Sequence, residues 1–395
     1  MKILALAWEF PPRIVGGIAR HVAELYPELV KLGHEIHLLT IEFGQAPAYE
    51  EVAGVYVHRV PVAGHPNFWQ WVGNMNESMG RHGGKLLNDS AFDLIHAHDW
   101  LVGDAAIALK HLFKTPLVAT IHATECGRHN GIHTDIQRYI HGKETHLAHE
   151  AWRVIVCTNY MRLEIERIFQ CPWNKIDVVY NGIYAQKKQR HPDFDYWQFR
   201  RRFAADCEKI VYYVGRMTHE KGVQVLLNAA PRVLRELNGT VKFVMIGGGN
   251  TDPLKRQASS LGIWDKCYFT GFMSDSDLDK FQTIADCAVF PSLYEPFGIV
   301  ALESFAARVP VVVSDAGGLP EVVRHSKTGI VTQAGNADSV AWGILEVLRN
   351  STYAHWLVEN AYEDLDRRFR WDKLAQQTEA VFGRVLHERS QVKWL

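Results

Sequence analysis

Cysteine is sparse. The 395 residues hold six, at Cys126, Cys157, Cys171, Cys207, Cys267 and Cys287, and no two form a Cys-x-x-Cys pair. That spacing gives neither a zinc ribbon nor a disulfide framework. Free thiols in a reducing cytoplasm are the simpler reading. An excess of either charge is lacking as well. Lys and Arg number 43 against 44 Asp and Glu, a net charge of -1, so bulk charge predicts no nucleic-acid partner. No uninterrupted apolar run reaches about eighteen residues, so no membrane span is expected. The opening run Lys2–Ala7 is too short for a signal peptide and ends at Trp8-Glu9 with no small-residue cleavage site, so it reads as a buried strand. Both His-Glu-x-x-His and Gly-x-Gly-x-x-Gly are missing, which counts against a metal site and removes the dinucleotide-binding oxidoreductase.

What is present is a globular composition, 47% hydrophobic and 22% charged. It is arranged as strand, turn and helix in alternation. Apolar strand candidates are Ile3–Ala7, Glu35–Thr40, Leu94–Ala97, Leu117–Ile121, Val154–Thr158 and Ile176–Tyr180, with the helical period of Val22, Leu25, Leu29 and Leu32 between the first two. The second half restarts the same grammar at Ile210–Val214 and continues through Val241–Ile246, Cys267–Thr270, Cys287–Phe290 and Pro310–Ser314. Such alternation predicts α/β architecture with parallel sheets covered on both faces. The expected division is a first Rossmann-like domain over 1–183, a second over 184–370, and a final helix over 371–395 that either continues the second domain or crosses back to the first. Two Rossmann-like, doubly wound domains would place chemistry beyond the carboxyl ends of their strands, facing across a cleft.

The candidate site residues lie at such ends. Gly16 and Gly17 follow the first strand and open the first helix, where a backbone can approach an anion; a plain tight turn is the alternative. Arg216 and Lys221 follow the first strand of the second half and suit a diphosphate, or are solvated surface cations. Glu295 precedes Pro296 and so belongs to a loop, while Glu303 lies in the next helix. Two carboxylates there could accept hydrogen bonds from sugar and ribose hydroxyls, and helix-terminus preference is the plainer explanation. His98, Asp99 and Trp100 follow one strand and His122 another, with a core role open for each histidine. The run His122, His129, His133, His141, His146 and His149 matches no metal-ligand spacing, so no metal is expected. The basic group Lys187, Lys188, Arg190, Arg200, Arg201 and Arg202, interleaved with Tyr196, Trp197 and Phe199, reads as an anionic-surface contact or as a solvated linker and helix. Phe68, Trp69 and Trp71, read as a loop, and Trp100 offer aromatic faces for sugar rings or pack in the core.

Together these motifs resemble the retaining family-four glycosyltransferases of GT-B architecture, in particular the glycogen and starch synthases. The resemblance rests on Arg216 with Lys221-Gly222, on Gly247-Gly248-Gly249, on Pro291 to Glu303, and on Gly317-Gly318-Leu319-Pro320-Glu321. It implies that Gly17 meets the donor phosphate and sugar through its backbone, and that Arg216 and Lys221 bind the diphosphate. Glu295 would contact the donor sugar and Glu303 the ribose, with Gly16, Gly247, Phe297, Gly298, Ile299 and Val300 completing the donor site. His122 would sit beside the reacting sugar, with Asp99 and Trp100 on the acceptor side. The implied donor is ADP-glucose or UDP-glucose, the acceptor a carbohydrate, and neither cofactor nor metal is required. Family members that prefer ADP-glucose carry a lysine before the Gly-Gly pair; Ile14-Val15 stands there in this chain, which leaves the donor base open. Transfer to a sugar phosphate, as by sucrose-phosphate synthase, transfer to a glycolipid, and nucleotide-sugar binding without turnover are the alternatives.

Overall fold

The structure, a computed structural model, describes residues 1–185 and 194–394, so Lys187, Lys188 and Arg190 of the basic group lie outside the described residues. The chain divides into two compact units, one of Met1–Gly182 with Trp371–Leu395 and the other of Ile183–Arg370.

The first unit is built on eight described strands: β1 (Lys2–Leu6), β2 (Glu35–Ile41), β3 (Tyr49–Val52), β4 (Val55–Val60), β5 (Leu94–His98), β6 (Leu117–Ile121), β7 (Arg153–Val156) and β8 (Ile176–Val178). They lie in the order β3-β4-β2-β1-β5-β6-β7-β8. All pairs are parallel except β3 with β4. Ile3, Leu4, Ala5 and Leu6 are fully buried, as continuous apolar strands covered on both faces should be. From β1 the chain winds one way to β2 and β4, then returns to β5 and winds the other way. The switch point therefore falls between β1 and β5, where ligands of open α/β sheets bind.

The β3–β4 hairpin is not evident in the sequence pattern. Its two-residue turn is Ala53-Gly54, both at positive φ, and alanine is not the usual residue for that conformation. Phe68, Trp69 and Trp71 lie in the first turns of the helix Phe68–Asp89, capped by Asn67, and not in a loop. The last helix, Trp371–Ser390, packs on the helix Gly17–Lys31 within the first unit. Trp371 Nε1 donates to Glu24 at 2.6 Å and Trp152 Nε1 to Glu388 at 2.9 Å.

The second unit is wholly parallel in its described strands: β9 (Lys209–Val214), β10 (Val241–Ile246), β11 (Cys267–Gly271), β12 (Cys287–Phe290), β13 (Val311–Ser314) and β14 (Ile330–Thr332). The order β11-β10-β9-β12-β13-β14 puts its switch point between β9 and β12. Among the described residues, no helix is long and apolar enough to cross a membrane.

Candidate active site

Each unit gathers its candidate residues at its own switch point. In the second unit, β9 ends at Val214 and the next loop carries Arg216 and Lys221, while β12 ends at Phe290 and its loop carries Glu295. Lys221 Nζ donates to Glu295 Oε2 at 2.8 Å, so the two loops are tied across the switch point. Both side chains are largely buried, whereas Arg216 is more than half exposed and reaches Glu220 only at 3.5 Å. The neighbouring backbone is packed too closely for side chains. A Cβ on Gly222 would lie 1.9 Å from the Pro291 carbonyl oxygen, and one on Gly247 would lie 1.9 Å from that of Gly215. Both glycines also adopt positive φ, at 72° and 136°.

Gly298 precedes the helix Ile299–Ala306, whose first residues Ile299 and Val300 direct backbone N–H groups out of its N-terminus. Phe297 is buried, with its ring 6.1 Å from that of Phe369. Glu303 is the fifth residue of this helix, beyond its first turn, and is 4% exposed. A surface preference for helix N-termini therefore does not account for it.

In the first unit, the Gly16-Gly17 loop follows β1, Asp99 and Trp100 follow β5, and His122 follows β6. Glu9, not singled out by sequence, shapes the first loop: its Oε2 accepts the N–H groups of Val15 at 2.6 Å and Gly16 at 2.9 Å. Burial raises its pKa, opposed by these bonds. Gly16 is extended (φ -157°), and a Cβ on it would meet only Glu9 Oε1 at 3.6 Å, an ordinary contact. Packing by the described residues thus does not demand glycine there.

Asp99 combines φ 59° with ψ 172°, a region that non-glycine residues rarely occupy. The conformation aims Oδ1 at the backbone N–H of His122, 2.7 Å away. Burial pushes the Asp99 carboxyl up to about 6, against Arg128 and that hydrogen bond. Burial, with help from Arg128, lowers His122 to about 3 and so keeps it neutral. Nearby Glu144 accepts the Glu125 N–H at 2.9 and 3.0 Å, and burial raises its carboxyl to about 8.

His98 is fully buried, as the core reading of that residue holds. Ligand-type nitrogens of His21, His98 and His122 lie within 4.8 Å of one another, and among the described residues these are the ones that could hold a metal. His98 Nδ1 and His122 Nε2, however, already bond to each other at 3.1 Å. The rest of the histidine run is dispersed: His129 faces Glu125, His133 the His129 carbonyl, and His149 the Phe169 carbonyl. His21 carries a signal in the sequence, because it is a polar residue in the apolar phase of the first helix.

The aromatic residues form a surface group. Trp69 lies 6.3 Å from Trp100 and 5.0 Å from Tyr139, ring to ring, and Phe68 lies 5.2 Å from Trp69. Phe68 and Tyr139 are about half exposed. Of the basic group, Arg200 pairs with Asp286, Arg201 pairs with Asp206, and Arg202 lies over Phe199 and Phe203.

Comparison with known proteins agrees with this layout. Residues 15–187 match the family described as Glycosyltransferase Family 4, and residues 195–364 match Glycosyl transferases group 1. An uncharacterized glycosyltransferase of Methanocaldococcus jannaschii is 39% identical over 391 residues, 97% of this chain and 98% of that one. Glycogen synthase of Mycobacterium tuberculosis is 34% identical over 399 residues, 97% of this chain and 94% of that one. The solved sucrose-phosphate synthase of Thermosynechococcus elongatus shares the fold with a TM-score of 0.83 at 21% identity, covering 98% of this chain and 99% of that one.

Proposed function

The chain belongs to the family-four glycosyltransferases of GT-B fold and is glycogen-synthase-like, and from that premise we propose that it moves a hexose, glucose first, from a nucleotide-diphosphate sugar to an α-glucan with retention of configuration. The observation that carries this reading is the Lys221–Glu295 pair across the switch point of the second unit. One loop there offers cations to a diphosphate and the other a carboxylate to the sugar attached to it.

In this reading Arg216, exposed and weakly held, swings onto the diphosphate together with Lys221. The N-terminus of the helix Ile299–Ala306 adds N–H groups for the same anion. Glu295 accepts from donor-sugar hydroxyls and Glu303 from the ribose. As the C1–O bond to phosphate breaks, positive charge grows on the sugar ring, and side-chain cations neutralise the leaving diphosphate with no need of a metal. The acceptor hydroxyl attacks C1 from the same face, forming the new C1–O bond, and its proton passes to the departing diphosphate oxygen. A neutral His122 suits this step, because an imidazolium would repel the developing positive charge. Asp99 fixes the His122 backbone and so the ring beside it.

The aromatic group of Trp69 and Trp100, half-buried, with the exposed Phe68 and Tyr139 supports a carbohydrate acceptor, since aromatic faces cover the apolar C–H surface of sugar rings. All six cysteines are free, which supports a cytoplasmic site of action. The test offers ADP-glucose and UDP-glucose in turn, in the presence of EDTA, with maltooligosaccharides, glycogen, fructose 6-phosphate or lipid vesicles as acceptors. Chain extension of the oligosaccharides is the expected result. A product formed only with the sugar phosphate or the lipid overturns the glucan acceptor. Donor binding without any product leaves a nucleotide-sugar-binding protein.

A further inference from the structure

The ring of His122 ends a chain of hydrogen bonds that runs through the core of the first unit. Thr120 Oγ1 meets His96 Nε2 at 2.8 Å, and His96 Nδ1 meets the Tyr26 hydroxyl at 3.0 Å. The same hydroxyl meets His98 Nε2 at 2.6 Å, and His98 Nδ1 meets His122 Nε2 at 3.1 Å. Tyr26, His96 and His98 are fully buried. The backbone explains the alignment. His96 and His98 are two apart on β5 and share a face, Thr120 is the β6 partner of His98, and Tyr26 comes from the helix Gly17–Lys31. His21 stands edge-on to His122 at 4.8 Å, its Nδ1 on Asn181 at 2.7 Å, and it walls the chain on a further side.

Counting protons gives this chain an uncommon property. Burial disfavours the charged form of all three imidazoles, so each carries one proton. The Tyr26 hydroxyl also has one. If Tyr26 donates to His98, then His98 must hold its proton on Nδ1 and give it to His122 Nε2, and His96 must donate to Tyr26 from Nδ1. His96, His98 and His122 are then all Nδ1-protonated. If Tyr26 donates to His96, each bond reverses, and all three are Nε2-protonated. With every bond made, no mixed arrangement exists. Thr120 can donate or accept and so closes either one.

We propose that Tyr26 and His98 are positioning residues for His122: through this chain they hold its ring in one orientation and force it to share a single tautomer with His96 and His98, so that His122 Nδ1 meets the substrate as a defined donor or acceptor. The proposal rests on the reading of His122 as the residue beside the reacting sugar. His122 touches substrate in that reading; Tyr26 and His98 act only through it. Tautomer control of this kind matters because a ring nitrogen in the wrong protonation form turns a hydrogen bond into a contact between two lone pairs or two protons.

The test uses the full chain labelled with ¹⁵N in histidine alone, with long-range ¹H–¹⁵N correlations reading the tautomer of each ring. The wild type is expected to show His96, His98 and His122 in the same tautomer. Tyr26→Phe, which keeps the ring and removes the hydroxyl, is expected to release His98 and His122 from the state of His96. It should lower kcat about ten- to hundredfold, the range for a misplaced reacting group, with donor KM within about twofold. His98→Leu, which removes the link between Tyr26 and His122, is the second variant should Tyr26→Phe fail to fold, and it should release His122 from the state of His96 with the same loss of kcat. Mixed tautomers in the wild type overturn the proposal, as does a folded Tyr26→Phe with unchanged kcat, or a loss of kcat while the three rings keep one tautomer. The spectra are read without turnover, so an inactive wild type defeats the transferase reading and leaves the tautomer result to stand or fall by itself.

Discussion

Lys221 Nζ and Glu295 Oε2 are 2.8 Å apart in a largely buried pair, and they come from the two loops that flank the switch point of the second unit. Without a donor, the cation proposed for the diphosphate and the carboxylate proposed for the sugar satisfy each other. Removing one leaves the other buried and unpaired, whereas Arg216 is exposed and its neighbour Glu220 still accepts from the Thr218 hydroxyl at 2.6 Å. Lys221→Ala is therefore expected to lower thermal stability by about 1–3 kcal/mol and Arg216→Ala by less than about 0.5 kcal/mol. Each should reduce turnover by roughly 30- to 1000-fold, the range for losing one charge-stabilising contact. Calorimetry alongside nucleotide-release kinetics checks this; near-normal turnover of either variant marks its cation as a surface residue.

Gly247 gives a steric prediction. A methyl group there would lie 1.9 Å from the Gly215 carbonyl oxygen, at a φ of 136°. Gly247→Ala must displace backbone at the end of β10 and is expected to cost more than about 2 kcal/mol. Gly248→Ala, where a Cβ meets nothing within 4 Å, should be far milder. Equal melting temperatures for the two variants would contradict the packing described for this loop.

The strands and their carboxyl ends are legible in the sequence because both sheets are buried on two faces, which turns β1, β9 and β10 into plain apolar runs. Arg216, Glu295 and His122 stand out because polar chemistry directly after such a run has few structural uses. The resemblance to GT-B family-four enzymes is borne out by the matched families and relatives. Glu9, Tyr26 and Glu144 are not legible in the same way. Each takes its meaning from a partner distant in sequence or placed by loop geometry, such as His98 for Tyr26, 72 residues away. The β3–β4 hairpin is hidden by Ala53, which takes positive φ without being a turn former.

Glu144 makes stability depend on pH. Its carboxyl is raised from 4.5 to about 8, mainly by burial and further by Asp99 and Glu125, with the Glu125 N–H and Arg128 opposing. A carboxyl raised in the folded state favours folding while it is protonated. That contribution is complete below about pH 4.5 and is lost as pH rises towards 8. The wild type should thus lose stability relative to Glu144→Gln between pH 5 and pH 8, because the amide cannot ionise. Melting curves of both proteins across that range, compared as differences, decide it; a constant difference would mean that Glu144 is ionised in the fold.

The aromatic group predicts a division between the two substrates. Trp100 lies 6.3 Å from Trp69 on the first unit, away in sequence from every donor candidate of the second. Trp100→Leu should weaken acceptor binding by about 0.5–1.5 kcal/mol, roughly two- to tenfold in acceptor KM, with donor KM unchanged. A change in donor KM alone would remove this face from the acceptor site.

Retaining transfer of a hexose from a nucleotide-diphosphate sugar is tested most directly by following the anomeric carbon. Purified protein is given α-linked ADP-glucose or UDP-glucose labelled with ¹³C at C1, with maltooligosaccharide and EDTA, and the reaction is followed by NMR. The predicted result is a new α-glycosidic C1 signal, growing in step with release of the nucleoside diphosphate and needing no added metal. A β-glycosidic signal, free glucose as the only product, or release that starts only when a divalent metal is restored would contradict it.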